Sequence, residues 1–233
     1  METIVYTVQN IDKSLWNELI YKSTPDIHNI YQTYEWASII EACYNQSARF
    51  AVFQDEHRPQ GGHLYFRKPV FGKFNAYESF GGPLCNNGQP CIIENYTIKQ
   101  ILSEATPIYI LMRPLIHSEN DFEFVNHGFV KTPFYTFILD TSQEEGYIWN
   151  SLRKNARNGV RKAEKSGISV SPAESWDEWF EFYRLHTEHS QNRNIAPKSI
   201  GFFRVLYEKF EPKNMSKLFI ARFNNVIIGG KLF

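Results

Sequence analysis

"SLRKNARNGVRKAEKSGISV", residues 151–170, is the stretch on which the reading of the fold turns. Ser151 to Ser166 holds six Lys or Arg and a single acid, Glu164, in a chain whose 25 basic and 25 acidic residues cancel. No global field draws such a protein to nucleic acid or membrane, so any electrostatic function is local. Arg153, Arg157, Arg161 and Lys165 recur at i, i+4 with Lys154 and Lys162 beside them, while Ile148, Leu152, Ala156, Val160 and Ala163 form an apolar stripe. Thr141 and Ser142 each have Glu three residues on, a capping-box pattern, and Gly167 fits a C-terminal cap. The spacing predicts one long two-faced helix ending near Gly167, its Val160 side on the core, followed by a strand, "ISVSP". Like charges one turn apart repel by roughly 0.2–0.5 kcal/mol per pair, and Gly159 costs about 1 kcal/mol relative to Ala. Such local conflicts mark a candidate functional site. On the helix alone two readings stay open. One is a solvated face whose acids come from elsewhere in the fold; the other is an anion site for phosphate, pyrophosphate or an RNA backbone.

Outward from this helix, helices and strands alternate twice, with a joint near Asp140. "TIVYTV" reads as a strand over Thr3–Val8, and "DKSLWNELIYKS" and "YEWASIIEACYN" as helices burying Leu15, Trp16, Leu19, Ile20, Trp36, Ile39 and Ile40. "ARFAVFQD" and "GGHLYFRKPV" read as a strand pair turning through "EHRPQG", and "ESFGGPLCNNGQP" as loop. "CIIENYTIKQILSEA" reads as a helix, "PIYILMRP" as a buried strand, and "GFVKTPFYTFILD" as one or two more strands. Further on, Ser175 and Glu178 box the start of a helix in "SWDEWFEFYRLHTEHS", and Trp176, Trp179 and Phe180 read as core. Pro197 sits near the first turn of the next helix. "KLFIARFNNVIIGGKLF" reads as a hairpin turning at Asn224-Asn225. No low-complexity tract or sequence repeat stands out, though the halves could share a fold.

The 233 residues, 42% hydrophobic and 16% aromatic, suffice for one large or two modest cored domains. Cys43, Cys85 and Cys91 lack C-x-x-C spacing, which argues against a disulfide framework or zinc ribbon and suits a reducing cytoplasm. The start shows no signal-peptide pattern, and no run of 18 apolar residues could span a membrane. The pattern ends at Phe233 in mid-strand. The expectation is an incomplete second domain, or an open strand covered by a partner such as a second copy in a homodimer.

Three segments carry a family resemblance. "LRKNARNGVRKAEKSGISV", with Arg161, Lys162, Ala163, Lys165, Gly167 and Val170, resembles the helix and strand opening the C-terminal domain of Fem-type proteins, within the GNAT-like acyltransferase superfamily. "FYRLHTEHSQNRNIAPKSIGFFRVL" and "LFIARFNNVIIGG" resemble the segments that follow, in the same order. The resemblance covers about residues 135–233; "YQTYEWASIIEA" and "SFGGPL" match more loosely. It implies an α/β (α+β) fold of tandem GNAT-like domains, each a mixed sheet flanked by helices: an N-terminal domain over 1–139 and the start of a C-terminal one over 140–233. It also implies an acyl- or aminoacyltransferase. The donor would be aminoacyl-tRNA or acyl-CoA. The acceptor would be an amine or hydroxyl of a cell-envelope precursor, a peptidoglycan precursor in Fem proteins proper. Missing from the sequence is any Q/R-x-x-G-x-G/A loop.

The site residues this implies are as follows. Backbone N–H groups at Ile228 and Gly229 would stabilise the oxyanion, and His186 would face substrate as a catalytic group. Arg153, Arg157, Arg161, Lys162 and Arg193 would bind substrate, with Gly81 and Gly82 giving close backbone approach. Each has a plainer reading: a hydrogen-bonded helix histidine, helix-end cations, a simple turn. His186 and His189 lie three apart with no third ligand, so no metal is expected. The rival function is a non-catalytic anion- or RNA-binding module built on helix 151–166.

Overall fold

The computed structural model describes residues 2–23, 29–85, 90–114, 127–135 and 139–233. Strand β1 (Glu2–Tyr6) pairs antiparallel with β2 (Ser47–Asp55), β2 with β3 (Arg58–Phe71), and β3 with β4 (Phe74–Phe80). A short β5 (Leu84–Cys85) pairs the first half of β3 at Gly61 and Gly62, and β6 (Ile110–Arg113) runs parallel to β4. The result is a six-stranded mixed sheet flanked by α1 (Lys13–Ser23), α2 (Tyr34–Cys43) and α3 (Pro90–Glu104). The run "ARFAVF" is apolar almost throughout because both faces of β2 are covered. Ala48, Phe50 and Val52 point to the core with Trp16, Leu19 and Ala37. Ala51 and Phe53 point the other way, to Tyr65, Tyr77, Ile93 and Ile101. The Asp12 carboxylate opens α1 by accepting from the Ser14 amide at 2.8 Å, and Thr33 opens α2 by accepting from the Trp36 amide at 3.1 Å.

Residues up to Lys131 form one compact unit and Thr132–Phe233 a second. The second holds α4 (Glu145–Ser151), α5 (Lys154–Lys165), β7 (Ile168–Pro172), α6 (Trp176–Asn192), α7 (Ile200–Val205), β8 (Leu218–Phe223) and β9 (Val226–Leu232). Helix α7 continues through a π turn, Leu206–Phe210, into a 3-10 turn, Glu211–Lys213. The sheet is antiparallel in the order β7-β8-β9. Trp179, Phe202, Phe203, Leu206, Phe210, Leu218 and Ile220 are its buried core.

The two units repeat one β-α-α-β-β order: β1-α1-α2-β2-β3 and β7-α6-α7-β8-β9. In each, the first helix buries a tryptophan completely, Trp16 or Trp179, four residues after its capping residue, Asp12 or Ser175. In each, a hydroxyl caps the second helix, Thr33 or Ser199. Both hairpins turn on two left-handed residues, Glu56-His57 and Asn224-Asn225. Both carry a β-bulge in the returning strand, where Gln60 and Ile228 have no cross-strand partner. A five-residue echo follows each bulge, Gly61-Gly62-His63-Leu64-Tyr65 and Gly229-Gly230-Lys231-Leu232-Phe233. The sequence therefore does contain a repeat, too short to stand out without the register.

Several other expectations are corrected. The long basic helix is two helices, because Leu152 and Arg153 are extended. No box forms at Thr141 or Ser142; the Asp140 carboxylate accepts from the Ser142 amide and hydroxyl and from Gln143, which holds its pKa down at about 2. Val160 and Leu152 are exposed, as is Phe180. Ser199, not the stretch at Pro197, starts α7. Strand β4 arises from "FNAYESF", part of it read as loop. Residues 129–135 and 139–140 contain no strand, and 136–138 lie outside the described residues.

Candidate functional site

Helices α4 and α5 meet at the break between them. The Arg157 guanidinium donates through Nη1 to the carbonyls of Asn150 at 2.7 Å and Leu152 at 2.5 Å, satisfying groups that the end of α4 leaves without partners. Arg161 sits over the Trp149 ring, 5.7 Å from its centroid. Two of the predicted anion contacts are thus occupied within this helix pair. Arg153, Lys154, Lys162 and Lys165 are exposed and make no ion pair among the described residues. Arg193 is exposed at the end of α6, where its amide bonds the Ser190 carbonyl at 3.1 Å.

The capping box expected at α6 does form. The Ser175 hydroxyl accepts from the Glu178 amide at 3.4 Å, and the Glu178 carboxylate accepts from the Glu174 amide at 2.7 Å. The same carboxylate pairs with Arg222 of β8, which also donates to the Ser171 hydroxyl of β7 at 2.7 Å. Burial would raise the Glu178 pKa; the Glu174 amide and the Arg222 guanidinium outweigh it and hold the carboxyl below its usual range. One carboxylate therefore ties the start of α6 to both β7 and β8.

Along α6, His186 is half-buried between rings, with centroids 5.3 Å from Phe203 and 6.4 Å from Phe182. Its Nε2 accepts from the Lys198 amide at 3.4 Å. Burial, then the nearby His189 and Lys198 charges, lower its pKa, so the ring is neutral at neutral pH. Phe182 continues this aromatic row to β9. A Cβ at Gly230 would lie 2.7 Å from the Phe182 ring and 2.9 Å from the Phe219 carbonyl, so glycine is what lets α6 pack here. The bulge at Ile228 and the glycine pair thus lie on the strand that α6 packs, with Phe182 between His186 and Gly230. A Cβ at Gly229 would meet nothing within 4 Å. Among the described residues, no strand pairs the outer edge of β9.

The equivalent place in the first unit is filled. A Cβ at Gly61 would lie 2.5 Å from the Leu84 carbonyl, because β5 occupies that edge of β3. The turn leading into β5 holds Gly81 and Gly82, both buried. A Cβ at Gly81, whose φ is +75°, would lie 2.4 Å from Asn29 Oδ1, and one at Gly82 2.5 Å from the His63 ring. The close approach predicted for these glycines is therefore to the protein's own side chains rather than to a substrate. Asn29 Nδ2 donates to the Gly81 carbonyl at 2.5 Å. Gln32 donates to the Phe80 carbonyl at 2.7 Å and accepts from the Leu64 amide at 2.8 Å.

His63 closes this buried polar cluster. Nδ1 lies 3.0 Å from the Thr97 hydroxyl and Nε2 2.7 Å from the Ser79 hydroxyl. Burial pushes its pKa down to about 3, so the ring is neutral and carries one N–H. The Thr97 hydroxyl has the Ile93 carbonyl as acceptor at 2.8 Å and the Ser79 hydroxyl the Leu64 carbonyl at 2.8 Å, so the neutral ring gives its single N–H to one hydroxyl and accepts from the other. The Leu64 carbonyl also accepts from the Gln32 amide at 3.2 Å. Sequence reading missed this cluster. Asn29, Gln32, His63, Ser79 and Thr97 are scattered, and only the topology gathers them.

The described residues hold no group of three or more His, Cys, Asp or Glu placed for a metal, and none of their helices is long and apolar enough to cross a membrane. Taken together, the architecture is a mixed α+β protein built on a repeated β-α-α-β-β module. Residues 121–226 match the model of the FemAB family. The fold is that of FemX, whose crystal structure superposes with a TM-score of 0.66 at 16% identity over 95% of this chain and 57% of that one. Residues 121–226 are FemAB-like, and the chain spans a little over half the length of FemX. A conserved protein of unknown function from Bacteroides thetaiotaomicron gives a TM-score of 0.48 at 13% identity, covering 98% of this chain and 75% of that one. A ribosomal-protein-alanine N-acetyltransferase from Brucella melitensis gives 0.39 at 7%, covering 60% and 99%. No curated protein matches the sequence.

Proposed function

We propose that the protein is an acyl- or aminoacyltransferase of the Fem type. It would move an acyl group from aminoacyl-tRNA or acyl-CoA to an amine or hydroxyl of a cell-envelope precursor. The observation that carries this reading is the FemAB match over residues 121–226, the stretch that includes the basic helix and His186 and ends at the first residue of β9. In the reaction the acceptor's nitrogen or oxygen attacks the donor carbonyl, the new acyl bond forms, and the donor's ester or thioester bond breaks. The bulge takes Ile228 out of the β8–β9 register, and the backbone N–H groups of Ile228 and Gly229 would donate to the developing oxyanion. His186, neutral at working pH, would take the acceptor's proton on Nε2 once the Lys198 amide releases that lone pair. The exposed Arg153, Lys154 and Lys162 would contact the phosphates of donor or acceptor, and Arg157 and Arg161 would hold the helix that presents them.

The test is transfer of a radiolabelled acyl group, with aminoacyl-tRNA and acyl-CoA as alternative donors and a lipid-free peptidoglycan precursor as acceptor. Labelled product from one donor, lost in Gly229→Val while the fold persists, is expected. Salt-dependent tRNA binding with no transfer from either donor would instead favour the RNA-binding module.

A further inference from the structure

A second basic feature lies in the first unit, away from the glycine turn and the basic helix. β2 and β3 place Arg49 and Arg67 on the sheet face that carries α3, and the β3–β4 turn brings Lys73 beside them. With Phe74, Tyr77 and Glu104 these residues line a cavity of about 410 Å³ at the C-terminal end of α3. That volume falls within the range of small-molecule sites. Three cations face one carboxylate, and Glu104 is already engaged, accepting from Gln100 Nε2 at 2.6 Å. Among the described residues no ion pair involves Arg49, Arg67 or Lys73. The single side-chain hydrogen bond of Arg49 goes to the neighbouring Ala48 carbonyl at 3.1 Å.

Cations gathered without counter-ions repel one another, and a cavity between low-dielectric walls strengthens that repulsion. An anion relieves it. Tyr77 is 3% exposed and lines the cavity, and its hydroxyl makes no hydrogen bond among the described residues. Burial raises the Tyr77 pKa, with Arg67 opposing, so the phenol keeps its proton and can donate. Two guanidiniums, an ammonium and a phenol are a donor set suited to a tetrahedral oxyanion. Phe74 supplies an apolar wall beside it.

We propose that this cavity binds a phosphate group, as the free anion or carried on a small organic molecule. The site is independent of the transferase reading and uses none of its residues.

The test is titration calorimetry of the whole chain with inorganic phosphate, a sugar phosphate and a nucleoside monophosphate. Binding of at least one is expected, weakening with added salt. Each cation removed, in Arg67→Ala and Lys73→Ala, should weaken binding roughly tenfold, the worth of one charge-assisted contact. Both side chains are exposed and make no ion pair among the described residues, so the melting temperature without phosphate should not fall, while the rise in melting temperature with phosphate should shrink. Glu104→Gln should tighten binding. Tighter binding of the organic phosphates would assign the Phe74 wall to their carbon skeleton, and equal affinity would assign the free anion; either result supports a phosphate site. No binding of any of the three at millimolar concentration, or unchanged affinity in both variants, would overturn it.

Discussion

The hairpin β2–β3 in the first unit and the hairpin β8–β9 in the second are the same object with different neighbours. Each turns on two left-handed residues, bulges one residue before a glycine pair, and packs its second glycine under a helix ring. In the first, β5 pairs the edge of β3 that faces away from β2, and a buried His63 cluster seals the turn that delivers it. In the second, the described residues leave that edge open. Packing thus requires glycine at Gly61, Gly62 and Gly230, whereas a Cβ at Gly229 would meet nothing within 4 Å among the described residues. This difference assigns a structural role to the glycines of the first hairpin.

The comparison can be broken in several ways. The largest effects should come from the paired tryptophans. Trp16→Ala and Trp179→Ala should each cost about 3–5 kcal/mol in denaturant unfolding, since both are fully buried at the same place in the module. A cost confined to one of them would deny the equivalence. Next, Gly61→Ala should cost about 1–3 kcal/mol, because its Cβ would press on the backbone carbonyl of Leu84, which cannot swing aside. Gly229→Ala should stay within about 0.5 kcal/mol. Equal losses in calorimetric melting would remove the distinction between filled and open edges.

A smaller effect is a slope with pH. His63 titrates at about 3 when folded and at 6.5 in its unperturbed state, so between these values the unfolded chain binds the extra proton. Stability from this group is complete above pH 6.5 and falls by about 1.4 kcal/mol per unit as pH drops toward 3. His63→Gln should flatten that slope in urea titrations at several pH values. An unchanged slope would mean that the buried ring does not hold the glycine turn. Glu178, whose pKa is lowered, adds a loss at more acidic pH as its carboxylate protonates and releases Arg222.

Much of this was legible in the residues. The Ser175–Glu178 box, the Asn224-Asn225 turn and the alternation of elements all follow local rules, and the structure has them. The break after α4 was not legible. Periodicity continues through Leu152, and only the reach of Arg157 back to the Asn150 carbonyl shows where the first helix ends. Gly81 and Gly82 read as a loop fit for substrate because nothing local announces Asn29 and His63, which arrive from other elements. Strand β4 was obscured by the Gly and Pro that follow Phe80.

Amide hydrogen exchange across the two hairpins, with and without donor, tests the assignment most directly. Residues 58–66 should exchange slowly throughout. The outer-edge amides of 226–232 should exchange faster, and should slow when aminoacyl-tRNA or acyl-CoA is added. Equal protection of both hairpins, or donor-dependent protection at Gly61-Gly62 instead of Gly229-Gly230, would contradict the account.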